Sequence, residues 1–326
     1  MKVVVRAPNW LGDIVMSVPF FEQLIKISIA NRFEVFVIIK PEFSEVLELI
    51  NNSKILNFVS YNKKIGIFKF KKNNPDLIKS DLYFTLAPSF SSALMGRVLQ
   101  AKRRVGFKNE FRTFLLTDSF KKLSQTHRAD EFLFLLNQIF KGTRDAFKLP
   151  VFEIPKSLQI KNLSSYIVIN ANSEATSRKL PNHKWVEIFS LTQNKKVILT
   201  GVNKDIEFIN RLVNELKEKC LSNKHEFINL TGKTDLKELI SILKHADLVI
   251  SNDSGPAHLA NMLATPLIVF FGAGDEKNTA PKFHVNQTRI INQKISCSPC
   301  LKNSCPIGTL DCLNKIDVMK IWDKMI

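Results

Sequence analysis

With 326 residues and 45% hydrophobic side chains, the chain is long enough for two domains with real cores, and wholesale disorder is excluded. No apolar run approaches the roughly 20 residues of a membrane-spanning helix, and Met1 to Arg6 lacks the long apolar stretch of a secretory leader, so a cytoplasmic address is expected. The formal charge of +17 favours an anionic partner or reflects general lysine usage, and no RGG repeat, RNP-type aromatic motif or zinc-finger histidine pair points to nucleic acid.

The pattern along the chain alternates strand and helix. Val3–Val5 reads as a strand and Gly12 to Ile29 as a helix that Pro19 kinks or divides. Strands follow at Phe33–Ile39, Ile55–Ser60, Asp81–Leu86 and Arg103–Gly106, with helices from Pro41 to Ile50 and from Ser91 to Leu99. Lys69 to Asn74 reads as a basic, polar break, and the pattern weakens between Phe107 and Gln125. A helix at Arg128–Phe140 precedes a Gly- and Pro-containing stretch, Lys141 to Ser165, which is expected to link the two domains. The rhythm then restarts. Strands are expected at Tyr166–Ala171, Lys196–Thr200, Glu226–Leu230, Asp247–Ser251 and Leu267–Phe271. Helices are expected across Val186–Leu191, Asp205–Lys219, Asp235–Lys244, Pro256–Leu263 and Lys315–Met325. Short Val/Ile/Leu-rich strands between helices argue for parallel sheets covered on both faces, one per domain, in domains 1–150 and 151–326. No short-period repeat is present.

Four constellations carry chemistry. Asn9-Trp10-Leu11-Gly12-Asp13 follows the first strand, where open α/β sheets place ligands. Asp13 either complements the helix dipole or removes a proton from a hydroxyl. Trp10 fits a packing role or a platform for an acceptor. The run Val249 to His258 leads a buried strand through Asn252, Asp253, Ser254 and Gly255 into a helix opened near Pro256. Such a helix start is a site for a diphosphate, or else Asp253 or Ser254 simply caps it. Neither GxGxxG nor GxxxxGK[ST] occurs. Ser173 to Pro181 brings Arg178 and Lys179, two cations able to neutralise a leaving diphosphate or to lie solvated. Five cysteines occur: Cys220 alone, and Cys297, Cys300, Cys305 and Cys312 together. The CxxC start suits a tetrahedral structural zinc, but the remaining spacings are not those of a familiar ribbon; free structural thiols are expected before a metal, and disulfides least of all in a reducing compartment.

Taken in order, Ala7–Pro19, Asn170–Trp185, Leu230–Lys233, and Asn252–Ala260 with Pro266 and Phe271-Gly272 resemble glycosyltransferase family nine, the ADP-heptose–lipopolysaccharide heptosyltransferases. The cysteine segment, with Cys305-Pro306-Ile307-Gly308, is similar to a tail found in the heptosyltransferase II subset. The resemblance implies a GT-B fold: two Rossmann-like domains with parallel sheets facing across a cleft, acceptor on the first and nucleotide sugar on the second. It implies inverting transfer of heptose from ADP-heptose to the lipopolysaccharide inner core, with no metal required. The family's base falls on Asp13. Its phosphate-binding lysine falls on Arg178, with Lys179 beside it, and the usual tryptophan before the proline is Leu180. Its pyrophosphate loop falls on Asp253, Ser254, Gly255 and His258, the last either a ligand residue or a partner of the preceding loop. Thr231, Gly232 and Asp205 are the candidates for the adenosine side. A core acceptor bearing carboxylates and phosphates gives the positive charge a purpose. Lys63, Lys64, Lys69, Lys71, Lys72, Arg103, Arg104, Lys108 and Arg112 in the acceptor half are expected to make a peripheral contact with the inner membrane face. The rival readings are a GT-B transferase or epimerase using another nucleotide sugar, a non-catalytic glycan-binding protein, and a nucleic-acid binder.

Overall fold

The computed structural model describes residues 1–109, 111–141, 149–191, 195–219 and 226–322, with the backbone alone for 321 and 322. Two compact units divide the chain, Met1–Pro150 and Val151–Ile326.

In the first unit β1 (Lys2–Arg6) buries Val3, Val4 and Val5 completely, as a strand covered on both faces must. The helix that follows is divided into α1 (Leu11–Met16) and α2 (Val18–Asn31). Ser17 makes the break: its amide reaches the Asp13 and Ile14 carbonyls at 3.0 Å and its hydroxyl the Ile14 carbonyl at 2.7 Å. Pro19 then sits in the first turn of α2, where a missing N–H costs nothing. Next come β2 (Glu34–Ile39), a 3-10 turn at Pro41–Phe43 with α3 (Ser44–Glu48), β3 (Leu56–Ser60) and α4 (Ile67–Asn73). The remaining elements are β4 (Leu82–Thr85), α5 (Phe90–Val98), β5 (Arg103–Phe107), β6 (Asp118–Phe120) and α6 (Arg128–Ile139).

Two elements depart from the sequence pattern. Lys69 to Asn74 is a polar break by composition, yet Lys69 to Asn73 lie in α4. Phe70 is the anchor, buried edge-on against Tyr61 with ring centroids 5.0 Å apart. One aromatic secures the turn while the lysine stems leave their charges in water. Strand β6 is three residues paired only with β5, too short to show a period.

The second unit runs β7 (Ile167–Asn170), α7 (Asn182–Leu191), β8 (Lys196–Leu199), α8 (Ile206–Glu218), β9 (Glu226–Asn229), α9 (Leu236–Lys244), β10 (Leu248–Asn252), α10 (Gly255–Met262) and β11 (Leu267–Phe271). It ends with α11 (Glu276–Thr279), β12 (Thr288–Asn292), α12 (Asp311–Asn314) and α13 (Val318–Trp322). Strand β12 is not legible in the sequence because it is a partly exposed edge strand. Trp185 of α7 is wholly buried, edge-on to Phe270 at 6.0 Å, and α13 packs on α7. The rest of the expected last helix, residues 323–325, lies outside the described residues, as do Cys220 and residues 142–148 of the expected linker.

Both sheets are parallel throughout and share one topology. The orders are β3-β2-β1-β4-β5-β6 and β12-β11-β10-β7-β8-β9. Each is the doubly wound order in which the chain reverses direction between the first and fourth strands, and a crevice opens at the carboxyl ends of those two. The switch points are therefore β1/β4 and β7/β10. Among the described residues no helix is long and apolar enough to cross a membrane.

Candidate functional site

The second switch point is built around a buried carboxylate. Asp253 directly follows β10 and is 3% exposed. Burial pushes its carboxyl up to about 6, partly opposed by Arg178, whose Nη1 lies 3.2 Å from Oδ2. Arg178 ends a 3-10 turn at Thr176–Arg178 after β7, and its Nε has no hydrogen-bond partner among the described residues. Its guanidinium is thus held at one corner and keeps a donor to spare. Lys179 turns elsewhere: its ammonium stands 5.3 Å over the Phe208 ring. Of the two neighbouring cations, the fold brings Arg178 to the loop and gives Lys179 a cation–π contact.

The loop is tied from both sides. Asn252, wholly buried, accepts the Leu180 amide at 3.0 Å and donates to the Ala171 carbonyl at 2.8 Å. Leu180 fills core in place of the tryptophan the family pattern expects. Asn170 donates to the Ser254 hydroxyl at 3.0 Å, and Ser254 also lies 3.1 Å from the Ser251 hydroxyl. Ser254 is the N-cap residue of α10 yet makes no side-chain cap. The simple capping reading therefore fails. The first turn of an eight-residue helix keeps backbone donors and its positive dipole end for an anion. His258 is buried within α10. Gly274 approaches so closely that a Cβ there would overlap the Asp253 carboxylate.

Beside this loop the carboxyl ends of β7, β8 and β9 expose a second set of groups. Asn172 Oδ1, Thr200 Oγ1 and Thr231 Oγ1 are buried and have no hydrogen-bond partner among the described residues. Buried polar atoms are rarely left unpaired, and three at adjacent strand ends are groups that a bound ligand could satisfy. Gly232 has φ +72° and faces Asn203 and Ile206 so closely that a Cβ would lie 2.6 Å from Asn203 Oδ1. Asp205 is committed locally: its carboxylate accepts the Val202 amide at 3.0 Å and caps the turn at Asn203–Asp205. Asn172 and Thr200 escape a sequence reading, because Asn172 is one polar residue among many in the Asn170–Trp185 segment, Thr200 stands in no motif, and only the sheet order makes them neighbours of Thr231.

In the first unit Asp13 lies in the first turn of α1, after β1. Its Oδ1 accepts from Arg128 Nη1 at 3.0 Å. Arg128 opens α6, far along the chain, and also faces Glu131 at 3.6 Å. Glu131 is buried, and burial holds its carboxyl above the ordinary range against the pull of Lys122 and Arg128. The Arg128 fork fixes the Asp13 carboxylate in place. Below it, buried Arg6 donates to the Ala7 carbonyl at 2.6 Å and to Asn9 at 2.5 Å, which shapes the loop. Arg128 and Arg6 carry no sequence signal, because a long-range ion pair has no local pattern. Trp10 is exposed, with the Lys40 ammonium 5.6 Å over its ring.

The basic residues of this unit divide into two groups. Arg112 is buried and spends its guanidinium on the Ala87 and Phe107 carbonyls. Arg104 does the same with Leu115 and Ala101, and Arg103 pairs with Asp118 at 2.7 Å. These three hold loops together. Lys63, Lys64, Lys69, Lys72 and Lys108 stay exposed, and Lys71 is partly exposed. They stand in the segments that carry exposed Phe68, Phe111 and Phe114, at 75%, 74% and 72%.

The four clustered cysteines are free thiols. Among the described residues no group of three or more His, Cys, Asp or Glu side chains is set to hold a metal ion, so the tetrahedral zinc geometry expected from CxxC spacing is not formed as the side chains stand.

Two doubly wound parallel sheets, each with a polar loop at its switch point, are the architecture of the GT-B fold class. More narrowly, the chain belongs to glycosyltransferase family 9 (heptosyltransferase), whose model matches residues 76–310. It is 26% identical over 335 residues to lipooligosaccharide heptosyltransferase 2 of Campylobacter jejuni, covering 100% of this chain and 98% of that one. It is 24% identical to lipopolysaccharide heptosyltransferase 2 of Escherichia coli, over 89% and 88% of the two chains. Among solved structures, E. coli ADP-heptose lps heptosyltransferase II superposes with a TM-score of 0.73 at 21% identity, over 97% of this chain and 98% of that one. E. coli heptosyltransferase WaaC with ADP gives 0.70 at 14% identity over the whole of both chains.

Proposed function

We propose that this enzyme moves a heptose from ADP-heptose to the inner core of lipopolysaccharide, inverting the anomeric centre in one displacement. The observation that carries the reading is the uncapped start of α10 beside Arg178 and Asp253, an anion site at the switch point of a family 9 fold. Asp13 takes the proton of the acceptor hydroxyl as that oxygen attacks. The charge that grows on ADP is met by the first-turn amides of α10 and by Arg178. Preorganised donors of this kind are worth about 3 kcal/mol each in a transition state. The unpaired atoms of Asn172, Thr200 and Thr231 receive the nucleoside, with Gly232 keeping that loop close. No step calls for a metal. The acceptor is lipid-linked, and exposed Phe68, Phe111 and Phe114 among exposed lysines support a peripheral contact with an anionic, cytoplasm-facing membrane surface.

The test is incubation with ADP-heptose and truncated core acceptors, with the product identified by mass. A gain of one heptose is expected; no product with any core acceptor, or product from another nucleotide sugar only, refutes the assignment. Asp13→Asn keeps the shape of the site and removes the base. Its turnover should fall by about 10²–10⁴-fold with ADP affinity unchanged, and wild-type turnover would remove Asp13 from the mechanism.

A further inference from the structure

The carboxylate that serves as base in the proposed reaction is already engaged in the folded protein. Oδ1 of Asp13 accepts from Nη1 of Arg128 at 3.0 Å. The two side chains are 17% and 25% exposed, so solutes reach both. A carboxylate bonded to a guanidinium takes up a proton less readily than one without such a partner. The contact that fixes Asp13 in place therefore also restrains it as a base.

Next to the pair is a charged group that the proposed reaction leaves unused. Glu131, three residues beyond Arg128 in α6, is buried. Its Oε2 stands 3.6 Å from Arg128 Nε and 3.8 Å from Lys122 Nζ. The Lys122 ammonium also lies 5.9 Å over the Phe107 ring. Arg128 is thus held at two edges of unlike character. Its Nε edge faces a carboxylate closed to solvent, and its Nη1 end faces one that solvent reaches. Only the second contact is open to exchange. An incoming carboxylate or phosphate suits the planar fork of arginine as well as Asp13 does. Lys122, drawn to the same buried oxygen, places a second positive charge close by.

We infer that Arg128 selects the acceptor: it gives up Asp13 for an anionic group of the arriving acceptor, a carboxylate or a phosphate, and so releases the base only when that acceptor is bound. Glu131 keeps hold of the Nε edge, so the guanidinium pivots instead of leaving. The exchange acts twice on Asp13. It removes the bond from Arg128 and brings a like charge close, and both make a carboxylate readier to take a proton. The acceptor oxygen then bonds to the anomeric carbon, the bond from that carbon to ADP breaks with its electron pair going to ADP, and the hydroxyl proton passes to Asp13. With no acceptor present, water could enter the same reaction and hydrolyse the donor; the Arg128 contact withholds the base from it. This inference rests on the reading of Asp13 as the base.

The experiment uses the full chain with ADP-heptose and a truncated core acceptor, offered untreated, after phosphatase treatment and after reduction of its carboxyl groups. For the wild type, removing the group that Arg128 reads should lower kcat/KM by about 30-fold, and the treatment that does so separates phosphate from carboxylate. Equal turnover of all three acceptors overturns the selection. Arg128→Met keeps the length of the stem without its charge. It should lose about 30-fold with the untreated acceptor, yet turn over the treated one at least as fast as the wild type does. Without acceptor, it should release ADP from ADP-heptose about 10-fold faster than the wild type, and adding Asp13→Asn should abolish that excess. An arginine with a merely structural role would lower transfer and hydrolysis together. Hydrolysis that does not rise, or a rise that survives Asp13→Asn, overturns the guard. If the methionine variant does not fold because buried Glu131 has lost a partner, Arg128→Met with Glu131→Gln removes both charges and carries the same expectations. Asp13→Asn alone reports on the base: wild-type transfer in that variant indicts the reading of Asp13, whereas collapsed transfer beside unchanged hydrolysis in Arg128→Met indicts the guard alone.

Discussion

Replacing Asp253 with asparagine tests whether the anion site really holds a carboxylate against its own burial. In the folded protein that carboxyl ionises near 6, against an ordinary 3.8, with burial the larger cause and Arg178 the opposing one. A difference of that size corresponds to about 3 kcal/mol. The native carboxyl keeps its proton more tightly than the unfolded one. Its stabilising contribution is therefore complete below the usual carboxylate range and is lost as the pH climbs through about 6. The side chain introduced by Asp253→Asn has nothing to titrate. The stability of the variant relative to the wild type should then rise by about 3 kcal/mol between about pH 3 and about pH 8. The attraction of Arg178 is already contained in that shift, since it grows as Asp253 ionises and opposes the effect of burial. Urea unfolding followed by Trp185 fluorescence reads the correct unit, since that indole is buried in the same sheet-and-helix core. Profiles for the two proteins that run parallel in pH would refute the burial argument.

The same site yields other expectations. Arg178→Ala should weaken ADP binding by about 30-fold, the loss of one charge-assisted hydrogen bond, while Lys179→Ala should change it by less than about 2-fold; calorimetric titration separates them, and equal losses would refute the division of roles. Gly274→Ala places a methyl against the Asp253 carboxylate and should cost about 1–3 kcal/mol in stability, read by thermal unfolding, together with most of the ADP affinity; a neutral result would mean the loop is not close-packed. Phe68→Ser combined with Phe114→Ser should lower partitioning onto vesicles of anionic phospholipid by at least about 10-fold without slowing transfer to a water-soluble truncated acceptor. Undiminished vesicle binding, or binding insensitive to salt, would rule out the docking face.

Much of the fold can be read directly from the order of the residues. A strand buried on both faces has to be a short unbroken apolar run, and Val3–Val5, Ile167–Ile169 and Leu267–Phe271 are such runs. The positions of Asp13 and of the Asp253-Ser254-Gly255 loop follow from the same logic, because a polar stretch between a buried strand and a helix must lie at a strand's carboxyl end. Pattern misleads where one residue outweighs composition, as Phe70 does in α4, and where an edge strand is too short or too exposed to repeat, as in β6 and β12.

The sequence alone could name Arg178 and Lys179 as neighbours but could not choose between them. Their side chains part by direction, one to Asp253 and one to Phe208, and direction is set by the packing of α8 and the β10 loop. Nor could it pair Asp13 with Arg128 or set Asn172, Thr200 and Thr231 side by side. It offered nine basic residues in the first unit without distinguishing Arg103, Arg104 and Arg112, which fasten loops, from the lysines that face water. Local pattern records what each residue must do for its own strand or helix. Which groups meet across elements far apart in the chain depends on sheet order and burial, and only the folded chain decides those.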